Sequence, residues 1–329
     1  MKTKIVYWSI GDAPIKDISL TAVIGNFDGV HLGHQKLILT ADHFAKSNGT
    51  QVGVITFDPH PRRYFRHNEP GFLLSDMIEK NRILSMHGIE VIIHVSFNDA
   101  LRQLSPEEFV SKVLNPLGVS HLIAGTDFSF GQGRAGDMHL LCSLGKKYNI
   151  KITEVSLQID NKSSIISSSR VRAALQAGHI DDARDMLGRP PTICGTIEHG
   201  DKRGRLLNFP TANFSLNDYQ VPAYGVYVVT AVIEKKEVAL NNETKLVSNA
   251  DVSVFKGVAN IGIRPTIGQR TVMAEVHLFD FNEDIYGARL CINLHYYIRG
   301  EKKFASVELL KAQILKDAVT AKKILAEQI

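Results

Sequence analysis

Between Thr21 and about Val155, short apolar runs alternate with stretches of helical period: TAVIG, HQKLILTADHFAKSNG, QVGVITF, IEKNRILSMHG and EVIIHVSF follow in that order. Strand-length apolar runs separated by helical patterns mark βαβ units, whose strands pair in parallel. Two further pairs follow, SPEEFVSKVLNPLG before HLIAG and DMHLLCSLGKKYN before IKITEVSL. The pattern predicts a doubly wound α/β domain. From Ser167 to Gly188 the period is helical throughout, with serines at its start and a glycine at each stop. Arg189-Pro190-Pro191 then interrupts the chain, and the domain boundary is placed there, giving 1–188 and 189–329.

Beyond the prolines the runs become strand-like: ICGTIEH, GVYVVTAVIE, VFKGVANIGI, AEVHLFDF and RLCINLHYYI are separated by turn residues, as in a small antiparallel barrel. Taken alone, PTAN at Pro210–Asn213 reads as a turn, and polar Lys235–Asp251 reads as a solvated hairpin tip. A helix closes the chain. Val307, Leu310, Ile314, Val319 and Leu325 recur on it at roughly helical spacing and are expected to pack on the barrel wall.

The length of 329 residues agrees with two domains, and 44% hydrophobic with 22% charged residues is the balance of a soluble globular protein. The 38 basic and 34 acidic residues leave a net charge of +4, which tolerates anionic small molecules but is far from a nucleic-acid footprint. No stretch approaches the ~20 apolar residues of a membrane span, and the N-terminal apolar run is too short for a signal peptide. A cytoplasmic protein with neither nucleic-acid nor membrane partners is expected, and nothing in the pattern predicts oligomerisation. Cys142, Cys194 and Cys291 show neither metal spacing nor a disulfide framework, which fits a reducing compartment.

The first chemical constellation is GNFDGVHLGH, Gly25 to His34, which leaves strand TAVIG and enters a helix near Gly33. A helix N-terminus is an anion site, because free N–H groups and the macrodipole both favour phosphate oxygens. Gly25 and Gly29 let backbone approach closely. His31 and His34 can donate hydrogen bonds to oxygens that gain charge as pyrophosphate leaves. An isolated HxxH is more often a capping or surface pair. A metal site is a weaker reading, since no HExxH pattern and no nearby cysteine accompanies it.

GNFDGVHLGH resembles the HxGH motif of the nucleotidylyltransferase superfamily in the form carried by bacterial bifunctional riboflavin kinase/FAD synthetases. TFDPHP at Thr56–Pro61, GTDFSFGQGRAGD at Gly125–Asp137 and ISSSRVR at Ile166–Arg172 resemble the remaining adenylyltransferase motifs of that family, in order. The resemblance implies ATP contacts from Gly25, Asn26, Phe27, Asp28, Gly29, His60, Asp127, Ser168, Ser169, Arg170 and Arg172. His60 just past a strand end is well placed for a ligand, and Ser168 or Ser169 is expected to cap the helix carrying both arginines. Ser169 stands where the family has threonine, and keeps the hydroxyl. Gly131, Gly133 and Gly136 formally spell GxGxxG, which would suit an NAD(P)- or FAD-dependent oxidoreductase. Five residues, TDFSF, separate them from strand HLIAG, against that reading.

The second constellation, CGTIEHGDKRGRLLNFPTANF, combines glycines, basic residues and PTAN, and the chain contains no GxxxxGK[ST]. Thr211 and Asn213 offer neutral oxygens of a kind Mg²⁺ accepts beside ATP phosphates. The segment resembles the PTAN signature and flexible loop of riboflavin kinases, and GVANIGIRPT and AEVHLFDFNEDIYG match the same family. Asn208 stands where a glycine is usual. By this resemblance Gly195, Gly200, Lys202, Gly204, Arg205, Pro210, Thr211, Asn213, Asn260 and Arg264 serve ATP and flavin. Strand alternation puts Glu275, His277 and Phe279 on one face and Val276 and Leu278 on the other. Glu275 reads either as a salt-bridge partner of Arg264 or Arg299, or, by resemblance, as the kinase base.

The resemblance implies an α/β doubly wound nucleotidylyltransferase domain followed by a small antiparallel, riboflavin kinase-like β-barrel with a C-terminal helix. Its implied substrates are riboflavin, FMN and ATP with Mg²⁺, and its product is FAD. A flavin-binding or regulatory protein that has lost one activity is the alternative from another class.

Overall fold

The computed structural model describes residues 3–15, 18–198, 209–234, 253–266 and 269–328. Gly200, Lys202, Gly204, Arg205, Asn208 and the segment Lys235–Asp251 lie outside the described residues. By packing the chain forms two compact units, Met1–Glu69 with Lys80–Ile166, and Pro70–Glu79 with Ser167–Ile329.

The first unit holds β1 (Lys4–Trp8), β2 (Leu20–Ile24), β3 (Gln51–Asp58), β4 (Val91–Ser96), β5 (Val119–Gly125) and β6 (Lys151–Val155) in one sheet, order β1-β4-β3-β2-β5-β6. All its pairings are parallel. The helices are α1 (Leu32–Asn48), α2 (Pro61–Phe65), α3 (Met77–Met86, whose first residues fall in the second unit), α4 (Asp99–Arg102), α5 (Pro106–Phe109, continuing as a π-helical turn over Val110–Leu114) and α6 (Met138–Lys147). A parallel sheet covered on both faces needs strands that are apolar on both faces, and every residue of β2 is buried. Alternation sends Leu20, Ala22 and Ile24 to one core cluster and Val23, with Val54 and Ile92, to the other. Edge strand β1 escaped the sequence reading because KIVYW is short and mixed in burial, pairing only with β4. From β2 the chain winds outward through β3 and β4 on one side and resumes at β5 and β6 on the other. This topological switch lies between β2 and β5, and their C-terminal ends flank the crevice where such sheets bind ligands.

In the second unit, α7 (Ser168–Gln176) and α8 (Ile180–Leu187) precede β7 (Thr192–Thr196), β8 (Ala212–Ser215), β9 (Gly225–Glu234), β10 (Val254–Thr266), β11 (Gln269–Leu278) and β12 (Arg289–Gly300). The packing division after Ile166 lies upstream of the boundary expected at 188/189, so α7 and α8 are grouped with the barrel. Segment Pro70–Glu79 joins the same unit through the bridge Leu73↔Tyr219 and an ion cluster in which Arg289 meets Asp76 at 2.8 Å and Glu234 at 3.2 Å. The sheet order is β7-β12-β9-β10-β11-β8, antiparallel throughout, and the bridge Glu198↔Asn213 brings the two edges together into a nearly closed barrel. PTAN is thus no simple turn: Asn213 lies within β8, where pairing with β11 overrides its local turn preference.

The C-terminal helix (α9, Val307–Gln328) packs on the barrel as expected, with Leu325 of the expected stripe buried there but Val307 and Val319 pointing away. Ala318, Ala321 and Leu325 are buried against Val226, Val228, Val258 and Phe279, while Val307 and Val319 are 58% and 67% exposed. Alanines let the helix approach the sheet closely, so the contact face is marked by small residues rather than by the bulkiest ones.

The cysteines also require a correction. Cys194 on β7 and Cys291 on β12 are cross-strand partners, and their sulfurs are bonded across a sequence separation of 97, leaving Cys142 free. Spacing could not reveal the pair because strand register creates it. Alkylation in denaturant without reductant is expected to modify one thiol per chain by mass spectrometry, and three after reduction. Three modified thiols before reduction would show the bond to be absent.

Candidate active sites

The first unit presents the Gly25–His34 segment at the switch-point end of β2. Here the backbone is unusual: Phe27, Gly29 and Val30 have φ of 50°, 80° and 42°. Left-handed backbone is foreign to a β-branched residue such as Val30, and each such non-glycine residue costs of order 1–3 kcal/mol. Both side chains are fully buried in the core. Burial contributes roughly 1.5–3 kcal/mol for a side chain of this kind, enough to offset the strain. The loop delivers His31 to the N-cap of α1, where its side chain makes no capping bond and the first turn carries no acidic residue to compete with an anion.

His31 and His34 stack with ring centroids 3.7 Å apart, and Phe27 tilts against His34 at 5.0 Å. The glycine between them has a definite role. A Cβ on Gly33 would stand 3.1 Å from the His31 ring, a tight contact that glycine avoids, so that the imidazole folds over the helix start without being displaced. His60 caps α2 just beyond β3, its Nδ1 accepting from the Arg62 N–H at 3.1 Å. Asp127 is exposed two residues past the end of β5. Gly131, Gly133 and Gly136 form a loop closed by the bridge Phe130↔Gly136, with α6 starting only at Met138, so this GxGxxG lacks the strand–turn–helix setting of a dinucleotide site.

The remaining adenylyltransferase candidates stand in the second unit. Ser167, not Ser168 or Ser169, is the N-cap of α7, its Oγ accepting from the Arg170 N–H at 3.4 Å. The helix begins one residue earlier than expected, which leaves Ser168 and Ser169 in its first turn. Arg172 donates from Nε to the Phe72 carbonyl at 2.7 Å and lies over the Phe72 ring.

One residue of the first site was missed. Lys80 on α3 is 9% exposed, and its ammonium reaches Thr56 Oγ1 at 3.3 Å and the Asn26 carbonyl at 3.4 Å. Burial lowers its pKa, opposed by the charges of Asp28 and Asp58. The signal was present: Lys80, Ile83 and Leu84 share the i, i+3, i+4 stripe that faces the core.

In the barrel, antiparallel register lines up three candidates. Asn213 on β8 is the direct partner of Glu275 on β11, which is the direct partner of Asn260 on β10. Direct partners project to the same face, so a buried amide, a half-buried carboxylate and a second amide form one row. Val276 and Leu278 face the other way and are buried, as alternation requires. Asn213 donates from Nδ2 to the Thr211 carbonyl at 3.3 Å, while its Oδ1 is buried with no hydrogen-bond partner among the described residues. Such an oxygen is costly to bury unless a ligand satisfies it. Of the two arginines considered for Glu275, Arg264 stands at 3.8 Å, whereas Arg299 is committed to Asp317 at 2.6 Å. The Pro210 carbonyl accepts from His277 Nδ1 at 2.9 Å, fixing the entry to β8. Gly195 has a packing role: a Cβ there would stand 2.3 Å from the Phe214 ring. Thr211, Pro210 and Ile197 line a cavity of about 580 Å³ with Phe281 and Tyr286.

Comparisons with known proteins recognise both halves of the chain. A family profile for FAD synthetase matches residues 15–170, and one for riboflavin kinase matches residues 187–325. The chain is 40% identical over 300 residues to a bifunctional riboflavin kinase/FMN adenylyltransferase of Bacillus subtilis (strain 168), covering 89% of each. It is 37% identical over 315 residues to the protein of that name from Escherichia coli (strain K12), covering 95% of each. A solved structure described as a macrolide-efflux protein from Streptococcus pneumoniae shares the fold with a TM-score of 0.79 at 28% identity, covering 98% of this chain and 100% of that one. Among the described residues no helix is long and apolar enough to cross a membrane. With both halves matched in order and the similarity extending over nearly the whole length, the chain belongs to the bifunctional riboflavin kinase/FMN adenylyltransferase family.

Proposed function

We propose that the chain makes FAD in two steps, with the functional division at residues 188/189. The C-terminal barrel transfers the γ-phosphoryl group of ATP to the 5′-hydroxyl of riboflavin, and the N-terminal α/β domain transfers the adenylyl group of a second ATP to FMN, releasing pyrophosphate. The steps attack different phosphorus atoms, so each needs its own arrangement of charge.

The observation that most supports the kinase assignment is the row Asn213–Glu275–Asn260, whose buried Asn213 amide oxygen has no partner among the described residues. Glu275 takes the proton from the riboflavin hydroxyl, and Arg264 orients the carboxylate. The Asn213 Oδ1 and the Thr211 hydroxyl are neutral hard oxygens that fit Mg²⁺, which Pro210–Asn213 would hold together with ATP phosphates. When bound, Mg²⁺ neutralises phosphate charge. In the other domain His31 and His34 donate hydrogen bonds to phosphate oxygens, supported by the N-terminus of α1, and no covalent intermediate is required. The substrates are small molecules.

Incubation of the purified protein with riboflavin, ATP and Mg²⁺, with separation of flavins by chromatography, is expected to give FMN first and FAD later. Addition of EDTA should leave riboflavin unconverted. Persistence of riboflavin in the complete mixture, or accumulation of FMN with no FAD, would contradict the two-step reading.

A further inference from the structure

The strained loop that carries the histidines is held from beneath by a group outside every motif described above. Phe27, Gly29 and Val30, three of four consecutive residues, adopt positive φ, a backbone that persists only where its surroundings over-determine it. Two restraints are ordinary: the apolar burial of Phe27 and Val30, and a hydrogen bond from Gln35 Nε2 to the Val30 carbonyl at 2.9 Å. The third is a relay. Thr56 Oγ1 donates to the Asn26 carbonyl at 3.2 Å and accepts from Lys80 Nζ at 3.3 Å, while the same ammonium reaches that carbonyl directly at 3.4 Å. Asn26 immediately precedes the first strained residue, so the relay acts where the loop departs from regular backbone.

Electrostatics gives the relay its strength. A lysine is almost never buried without counter-charge, and here the carboxylates of Asp28, itself 3% exposed, and Asp58 act on Lys80. One ammonium on α3 therefore joins the loop after β2 to the end of β3, the strand that leads to His60.

We propose that Lys80 is a positioning residue for adenylyl transfer, its buried ammonium fixing the Gly25–His31 loop so that His31 and His34 meet the ATP phosphates in a single geometry. This rests on reading the loop as the adenylylation site. Lys80 touches no substrate; it acts through Asn26, Thr56 and Asp28. Misplacement of a reacting arrangement by about 1 Å costs about 10²-fold in rate.

In the full-length protein, Lys80→Met is expected to lower kcat for FMN to FAD by about 10²-fold, with KM for ATP changed much less and riboflavin phosphorylation retained. Lys80→Arg, which keeps the charge, should recover part of the loss. Riboflavin kinase activity and thermal unfolding of each variant report folding. A folded Lys80→Met protein with kcat for adenylylation within threefold of the parent would overturn the proposal, as would an Arg variant no better than Met. If Lys80→Met does not fold, Thr56→Val removes the relay hydroxyl at nearly constant shape: loss of adenylylation with intact kinase activity supports the proposal, and undiminished adenylylation overturns it. His31→Ala run in parallel separates the two claims. If that variant adenylylates FMN normally, the reading of the loop itself has failed, whatever Lys80 does.

Discussion

Replacing Glu275 by alanine is expected to leave riboflavin unphosphorylated, while FMN supplied to the same variant still becomes FAD. Removal of a positioned general base typically costs about 10²–10⁴-fold in rate. The effect on stability should be small, because Glu275 and Arg264 are partly solvated at 36% and 24% exposure and their separation of 3.8 Å makes a weak pair. Partly exposed ion pairs contribute about 0–1 kcal/mol. The Asn213 and Asn260 pairings use backbone groups and survive the change. Glu275→Gln, which keeps size and loses basicity, should be nearly as impaired. Initial rates of each step, read by flavin chromatography, decide the matter: a kinase rate within threefold of the parent would mean that Glu275 is only a partner of Arg264.

His31→Ala should have the complementary effect, stopping the pathway at FMN. A single hydrogen-bond donor to developing negative charge is typically worth about 10²–10³-fold. His31 is 7% exposed, and its ring both stacks on His34 and lies over Gly33, so alanine removes a donor and loosens its neighbour as well. Riboflavin phosphorylation is the internal control, since the barrel packs as a separate compact unit. FMN should accumulate at the parental rate with FAD formation greatly slowed. Undiminished FAD formation would remove the histidine loop from the adenylylation site.

Opposite behaviour in the two variants is the signature of two sites in one chain. A flavin-binding protein that had lost one activity would show a response to only one substitution, because the other step would already be missing in the parent.

Much of the architecture was legible before any coordinates. Apolar runs and helical periods located the parallel strands from β2 to β6 and the long helices between them, because βαβ units write their periodicity locally. GNFDGVHLGH stood out for the same reason: loop, glycines and helix start are contiguous, and the stacking of His31 on His34 over Gly33 is a short-range consequence of that spelling. The role of Ser167 was displaced by one residue, as is common at helix ends, where a cap depends on which backbone first turns helical.

What stayed hidden involves residues far apart along the chain. Asn213, Glu275 and Asn260 occupy three different strands, and only barrel register makes them neighbours. Register likewise bonds Cys194 to Cys291, and close helix–sheet approach moves the buried face of the C-terminal helix onto Ala318 and Ala321. Lys80 sat on a visible stripe, but only packing against the ends of β2 and β3 gives its charge a destination. The sequence by itself determined most of the elements, the family and the chemical types at each site, since these are written in local period and contiguous motifs. Tertiary structure decided which of those groups meet, because pairing, burial and counter-charge arise between segments whose separation in sequence carries no record of their distance in space.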